Sequence, residues 1–284
     1  MTEPSSTRAF RMRELSVTFD SADAGLADAL THLINRADDD YPVVRHVRFA
    51  VGRRSDGRLE LAEGGGPPRV VPDVNALLTA VHRRLVTHLH SIHDPRPAVH
   101  AGAVTIGDKL IVVTGNRGAG KTTLLLRLAL DGAVFHCDEH IVADASGCVR
   151  TLPRRLHVKP GTIACLPEIA AACRAHPFLQ LDGGVAFYPL DVADLGLTWR
   201  SVDERPAVWI HLTAAFDGPP AVEPIAQIEM VKRLMQQSLG DLDFGRQAAD
   251  IAAVVRGVPC YAMRVGALGE SAATVRSLAA RLRR

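Results

Sequence analysis

Three glycines and a lysine lie close together in TGNRGAGKTT, the stretch from Thr114 to Thr123. Its inner part, GNRGAGKT, fits the pattern G-x-x-x-x-G-K-[ST] of phosphate-binding loops. In such loops the glycines let backbone N–H groups converge on phosphate oxygens, the lysine reaches the β- and γ-phosphates, and the hydroxyl ligates Mg²⁺. The stretch predicts a nucleotide site with Lys121 on phosphate and Thr122 on Mg²⁺. The alternative is a glycine-rich turn whose lysine has no chemical role.

Two acidic residues, Asp138 and Glu139, follow the apolar run AVFHC. Because this run predicts a strand, we expect both carboxylates at the carboxyl end of a strand beside the loop, where α/β sheets bind ligands. One carboxylate could hold Mg²⁺, and the other could accept the proton of an attacking hydroxyl. The pair therefore indicates phosphoryl transfer. The alternative is a strand end capped by acids without a chemical role.

Two basic residues are further candidates for this site. His100 opens HAGAV, a strand expected to pair with the strand before the loop, and it could orient a carboxylate or contact phosphate. A hydrogen-bonded histidine at a strand start fits its position equally well. Lys159, in LPRRLHVKPG, could neutralise a nucleotide or a phosphorylated product. The residues expected to bind the nucleotide are Gly115, Asn116, Arg117, Gly118, Ala119, Gly120, Lys121, Thr122, Thr123 and Lys159.

The elements around these residues predict an α/β fold with a P-loop core over residues 98–284. AVTIG and KLIVVTG predict a pair of strands before the loop, and a helix follows from Lys121 to about Leu130. IVADASGCVRTL predicts a hairpin, VWIHLTA and CYAMRVG predict later strands, and IAQIEMVKRLMQQSL predicts a helix. Strands with one helix between them favour an α/β core with antiparallel additions.

Residues 1–97 predict a separate α+β region. ELSVTF alternates like a strand, AGLADALTHLI has helical spacing, and HVRFAVG with RLELA predicts a hairpin around SDG. Asp73 is expected to cap a helix that ends near His93. Because this region has no glycine loop and no clustered acids, we expect it to serve substrate recognition or assembly.

Composition narrows the class of protein. Of the 284 residues, 47% are hydrophobic and 23% are charged, which is ordinary for a globular protein. The net charge is +2 and the arginines are scattered, so no nucleic-acid partner is expected. The five cysteines form no CxxC pair, which favours reduced thiols. With no secretory signal and no long apolar run, we expect a cytoplasmic protein without a membrane partner.

The segment HAGAV…IVVTGNRGAGKTTLLLRLALDGAVFHCDEHIV resembles the catalytic core of the HPr kinase/phosphorylase family, whose fold is related to that of phosphoenolpyruvate carboxykinase. The resemblance implies an ATP-dependent kinase that uses Mg²⁺. His100 matches the family's active-site histidine, and Lys121 and Thr122 match its loop lysine and Mg²⁺-binding hydroxyl. Asp138 matches the acid/base that takes the proton of the target serine. Glu139 stands where a metal-binding aspartate is usual.

Two departures from the family pattern bear on the acceptor. The Asp-Glu pair, in place of Asp-Asp, resembles the HPr-kinase-related proteins of bacterial gene clusters. So do a Tyr-Pro in DYPV, a basic strand ending in Lys-Pro and a late Cys-Tyr strand. The arginine- and glycine-rich loop that engages HPr has no counterpart in the sequence, so HPr is not the expected acceptor. The strong motifs cover about residues 99–161.

Three functions remain open at this point. The first is a kinase that moves the γ-phosphoryl group of ATP to a serine of a peptide or small protein. The second is a kinase for a small molecule, such as an amino acid or a sugar. The third is a nucleotide-binding regulator, which would not need the acidic pair. The sequence has neither an NKxD motif of GTPases nor an LSGGQ motif of ABC ATPases. Association into a homo-oligomer is left open.

Overall fold

The computed structural model describes residues 6–34, 41–93, 96–152, 154–181, 185–216, 218–239 and 243–282. The strands are β1 (Ser6–Met12), β2 (Leu15–Ser21), β3 (Arg45–Arg53), β4 (Leu59–Glu63), β5 (Arg69–Val71), β6 (Ala98–Ile106), β7 (Lys109–Gly115), β8 (Val134–Cys137), β9 (His140–Ala143), β10 (Val149–Thr151), β11 (Leu156–Val158), β12 (Leu179–Leu181), β13 (Val185–Leu190), β14 (Asp203–Glu204), β15 (Val208–Ala214), β16 (Ala221–Pro224), β17 (Ser238–Leu239) and β18 (Cys260–Val265). The α-helices are α1 (Ala24–Thr31), α2 (Val74–Ile92), α3 (Lys121–Leu130), α4 (Pro160–Cys165), α5 (Ala170–Arg174), α6 (Gln227–Gln236), α7 (Phe244–Val255) and α8 (Leu268–Arg281).

The chain divides into two compact units. The first consists of Met1–Ile92, Pro153–Pro160 and Ala170–Asp191, and the second of His93–Leu152, Gly161–Ile169 and Val192–Arg284. Two segments of the region predicted as the core, residues 153–160 and 170–191, therefore belong to the first unit. A role of residues 1–97 in substrate recognition or assembly stays a prediction.

The first unit contains a sheet in the order β1-β2-β3-β4-β5, in which only the β2–β3 pair is parallel. Side chains of β2 alternate between buried and half-buried, and the buried Phe19 stacks on Phe49 of β3 with ring centroids 5.8 Å apart. A second sheet in this unit has the order β11-β13-β12. Asp73 accepts a hydrogen bond from the Ala76 backbone N–H at 2.8 Å, as its predicted role of capping α2 requires.

The second unit contains a sheet in the order β14-β10-β9-β6-β7-β15-β18-β16. Its centre is parallel, because β15 pairs in parallel with both β7 and β18. Around this centre the pairs are antiparallel: β6 with β7, and β8 and β9 with the other side of β6. The predicted α/β architecture with antiparallel additions is thus confirmed.

Helices cover both faces of this sheet. On one face, Met230 and Leu234 of α6 and Ile251 of α7 pack against β6, β7 and the fully buried Trp209 of β15. The Trp209 indole N–H donates to the Val254 carbonyl of α7 at 3.0 Å. On the other face, α3 packs on β6, β7 and β8. Helix α7 was not predicted, although Asp243 caps it and its apolar residues have helical spacing.

The lengths of the helices and the state of the cysteines can be compared with the expectations from composition. None of the described helices is both long enough and apolar enough to cross a membrane. All five cysteines are free thiols, as their spacing predicted.

Gly102 of β6 is the point where α3 and the segment after β8 come closest to the sheet. A Cβ atom built on Gly102 would collide with the Leu125 side chain and would lie 2.8 Å from both Asp138 Cα and the Cys137 carbonyl oxygen. Two of these neighbours are backbone atoms, which cannot rotate away. The position therefore requires glycine.

We predict that Gly102→Ala lowers the free energy of unfolding by about 1–3 kcal/mol, the usual cost of overpacking a core. Urea denaturation followed by circular dichroism measures this. The control is Gly52→Ala, a strand glycine whose Cβ would meet nothing within 4 Å. Equal effects of the two substitutions would contradict the steric argument.

Candidate active site

A tight glycine loop, residues 115–122, joins β7 to α3. Gly120 immediately precedes the helix with φ 89°, in the left-handed region where side chains are strained. Gly115 has φ 147°, and a Cβ atom there would lie 2.7 Å from the Leu212 carbonyl oxygen of β15. The predicted strand, loop and helix are therefore present, and glycine is required at both ends of the turn. Between them Asn116, Arg117 and Gly118 are exposed.

Lys121, the first residue of α3, is buried with 6% of its surface exposed. Its Nζ donates hydrogen bonds to the carbonyl oxygens of Gly115 at 2.7 Å and of Asn116 at 3.3 Å. The Lys121 side chain thus folds back so that its ammonium group contacts the backbone of the loop. A cation and a helix N-terminus meet at this loop, and both favour an anion.

The acidic pair lies between β8 and β9, two strands that pair with the same side of β6. Asp138 is 5% exposed, and its Oδ2 accepts a hydrogen bond from the Thr122 hydroxyl at 3.0 Å. Glu139 is half-buried, and its carbonyl oxygen accepts from the Ala101 backbone N–H at 3.1 Å. The structure therefore brings Asp138 into direct contact with the glycine loop.

His100 lies on β6 opposite His140 of β9. Its backbone N–H donates to the Gln237 carbonyl at 2.8 Å, and its carbonyl accepts from the Thr114 hydroxyl at 3.4 Å. It is half-buried and next in the chain to Ala101, which contacts Glu139. His100 therefore lies near the acidic pair, and its catalytic role stays a prediction.

Two of the predicted nucleotide-binding residues have other surroundings. The Thr123 hydroxyl lies 3.0 Å from the Thr162 hydroxyl of α4, a contact that ties α3 to α4. Lys159 belongs to the first unit and is exposed immediately after β11. Nucleotide contacts of both residues stay predictions.

Three residues near the loop were missed by sequence reasoning. Gln237, at the end of α6, donates through Nε2 to Asn116 Oδ1 at 2.9 Å. His211 of β15 pairs in register with Thr114 and is 9% exposed. The Phe216 ring is 60% exposed and lies 3.5 Å from a Cβ atom built on Gly120. The one signal for His211 was a polar residue inside the apolar run VWIHLTA.

His211 is held neutral by its environment. Burial is the largest cause, and the positive charges of Arg233 and Lys121 add to it, so that the pKa of His211 falls to about 4. Glu229 acts in the opposite direction. The imidazole is therefore uncharged at neutral pH, and two cations act on it electrostatically.

The oxygen atoms at this site suit Mg²⁺ bound together with phosphate. The Thr122 hydroxyl and the carboxylates of Asp138 and Glu139 are hard oxygen donors, and Thr122 Oγ1 lies 3.0 Å from Asp138 Oδ2. Mg²⁺ is commonly bound by one or two protein oxygens together with substrate phosphates and water. Within the described residues, no group of three or more His, Cys, Asp or Glu side chains could hold a metal ion.

Comparisons with known proteins leave the family open. No protein-family model and no curated protein matches the chain. Among solved structures, the chain is similar to the HPr(Ser) kinase/phosphatase from Coxiella burnetii, with 12% identity and a TM-score of 0.31. The match covers 64% of this chain and 93% of that chain. A similarity of this size says nothing about the activity of this chain. Any conclusion about function must therefore rest on the geometry of the site.

We predict that Thr122→Val lowers the free energy of unfolding by about 1–3 kcal/mol without nucleotide. The buried Asp138 carboxylate would lose the donor hydroxyl, and a hydrogen bond to a charged group is worth about this much. Chemical denaturation measures the change. The matched control is Thr274→Val in α8, whose hydroxyl bonds within its own helix. A cost no larger than the control's would show that the Thr122–Asp138 contact contributes nothing.

Proposed function

We propose that the protein is an ATP-dependent kinase that transfers the γ-phosphoryl group to a hydroxyl, with a serine of a peptide or small protein as the acceptor. The observation that carries this proposal is the 3.0 Å hydrogen bond from Thr122 Oγ1 to Asp138 Oδ2. It joins a loop suited to phosphate to a carboxylate suited to proton transfer. A protein that only bound nucleotide would need no general base beside the loop.

In this proposal, Lys121 releases the Gly115 and Asn116 carbonyls and binds the β- and γ-phosphates. Backbone N–H groups of the glycine loop bind the remaining phosphate oxygens. Thr122 and Glu139 would hold Mg²⁺, which would neutralise charge on the phosphates. A hydroxyl that donates its proton keeps its lone pairs. Thr122 can therefore ligate the metal without giving up Asp138.

Asp138 is assigned the role of general base, and His100 that of positioning the acidic pair. Phosphoryl transfer depends mainly on positioning and charge stabilisation. A general base contributes about 10²–10⁴-fold. Asp138 is fixed by its bond to Thr122 and by close packing at Gly102, so its carboxylate is held in one place. Positional order of this kind is what proton transfer from an acceptor hydroxyl requires.

Acceptor recognition is assigned to the first unit. That unit has neither the glycine loop nor the acidic pair, so a role outside the phosphate chemistry is assigned to it. Its described surface exposes large apolar side chains at Val44, Val70 and Phe178, which could contact a peptide, and the second unit exposes Phe216, Ile228 and Phe244. Lys159, exposed in the first unit, could neutralise a phosphorylated product.

We predict that Lys121→Met weakens ATP·Mg²⁺ binding about 10- to 100-fold, because a charge-assisted contact to phosphate is lost. Isothermal titration calorimetry on the full chain measures this. The control is Lys109→Met, at the opposite end of β7, which should bind ATP like the wild type. Unchanged affinity in Lys121→Met would exclude the phosphate-binding role of the loop.

Asp138→Asn and Glu139→Gln should have different defects. We predict that Asp138→Asn keeps ATP·Mg²⁺ affinity within about threefold and loses phosphoryl transfer about 10²–10⁴-fold, since the shape remains and the base is removed. Glu139→Gln should weaken nucleotide binding and raise the Mg²⁺ concentration needed for half-maximal binding. The measurements are calorimetric affinity and transfer of radiolabelled γ-phosphate to a library of serine peptides.

The opposite result for each variant would exchange the two roles, with Asp138 on the metal and Glu139 as base. Transfer at the wild-type rate by Asp138→Asn would exclude it as the base. If the wild type binds ATP but neither hydrolyses it nor transfers phosphate to any peptide, protein or metabolite, the protein is a nucleotide-binding regulator.

A further inference from the structure

Helix α6 carries a row of polar side chains that ends at the glycine loop. Glu229, Arg233 and Gln237 are spaced four residues apart, so they lie on one side of the helix. Arg233 Nε donates to Glu229 Oε1 at 2.9 Å, and Gln237 Nε2 donates to Asn116 Oδ1 at 2.9 Å. The row therefore leads from an ion pair to a direct contact with the loop.

His211 lies beside this row. It pairs with Thr114, the residue before the loop, and shares its face of the sheet with Trp209, the face that α6 covers. Only 9% of the residue is exposed, and its Nδ1 is buried without a hydrogen-bond partner. A buried polar atom without a partner costs free energy, and native structures rarely keep one unless a ligand or water uses it.

We propose that His211 and Arg233 form a second phosphate-binding pair that contacts the terminal phosphoryl group of the nucleotide from the α6 face of the sheet. This inference rests on the proposed function. It adds two residues that make the protein prefer a nucleoside triphosphate to a diphosphate. Neither residue belongs to the glycine loop or to the acidic pair.

The chemistry of the two side chains suits this role. Arg233 uses Nε for Glu229, and its Nη groups can form the paired hydrogen bonds that phosphate accepts. The neutral imidazole of His211 can donate one hydrogen bond through Nδ1–H. The charged groups that act on His211 are the cations Arg233 and Lys121 and the Glu229 carboxylate. Two of these three charges favour an anion beside the imidazole.

The position of the pair favours the terminal phosphate. Backbone N–H groups of the loop and of the α3 N-terminus are placed for the phosphates that lie within the loop. His211 lies on the neighbouring strand β15 and Arg233 on a different helix, so both are outside that cradle. Groups outside the cradle can contact a phosphate that projects beyond it, which in ATP is the γ-phosphate and in ADP is missing.

The test compares two ligands on the full chain, ADP·Mg²⁺ and the non-hydrolysable β,γ-imido analogue of ATP with Mg²⁺. We expect Arg233→Met to weaken binding of the analogue about tenfold or more, the loss of one charge-assisted contact, and to leave ADP affinity within about twofold. The matched control is Lys232→Met, the exposed neighbour on the same helix, which should change neither affinity.

His211 is tested by a conservative and a disruptive substitution. The amide of Asn can place a hydrogen-bonding group near the position of Nδ1, whereas Leu cannot. We expect His211→Asn to keep most of the preference for the triphosphate and His211→Leu to lose it, both at wild-type ADP affinity. Thermal melting of each variant identifies any that fails to fold, and Arg233→Met, on the helix surface, decides the question in that case.

The possible outcomes separate this inference from the proposed function. If the wild type binds both ligands and neither Arg233→Met nor His211→Leu changes their affinity ratio, the inference is overturned and nucleotide binding stands. A loss in Lys232→Met equal to that in Arg233→Met also overturns it, since general charge would then explain the effect. If the wild type binds neither ligand, both the proposed function and this inference are wrong.

Discussion

Close packing at Gly102 is the constraint on which the site depends. Strand β6 carries β7 on one side and both β8 and β9 on the other, so one strand separates the glycine loop from the acidic pair. At Gly102 the backbone of Asp138 and the side chain of Leu125 approach closer than a Cβ atom would allow. The missing side chain lets α3, which carries Thr122, lie within hydrogen-bond distance of the Asp138 carboxylate.

Two ionisable side chains, those of Lys121 and Asp138, are buried beside the glycine loop, and the needs of the fold alone do not explain their burial. Lys121 is compensated by two backbone carbonyls, and Asp138 accepts from the Thr122 hydroxyl. Buried charges that are compensated in this way often stabilise a protein no better than apolar side chains of similar volume. Residues that break the pattern of a well-packed core are expected where a protein acts on a ligand. Their retention here is more simply explained by chemistry than by stability.

Much of the second unit could be predicted from sequence because its signals are local. Apolar runs identified β6, β7, β15 and β18, and the glycine loop identified the start of α3. The division of the chain could not be predicted in the same way. Residues 153–160 and 170–191 form the β11-β13-β12 sheet, and they join residues 1–92 through tertiary contacts. Examples are the packing of α2 against β12 and the hydrogen bond from Arg155 Nε to the Ile34 carbonyl at 2.8 Å. Contacts between residues so far apart in the chain leave no short sequence pattern.

The contrast between local sequence signals and long-range contacts also explains which site residues could be predicted from the sequence and which could not. The glycine loop and the Asp138–Glu139 pair are contiguous, so their residue types alone indicate chemistry. Arg233 belongs to an amphipathic helix whose pattern explains it as a surface residue, and His211 belongs to a strand that is otherwise core. Only the parallel register, which places His211 opposite Thr114, brings this histidine to the start of the loop. A buried nitrogen without a partner at that position then sets His211 apart from an ordinary core residue.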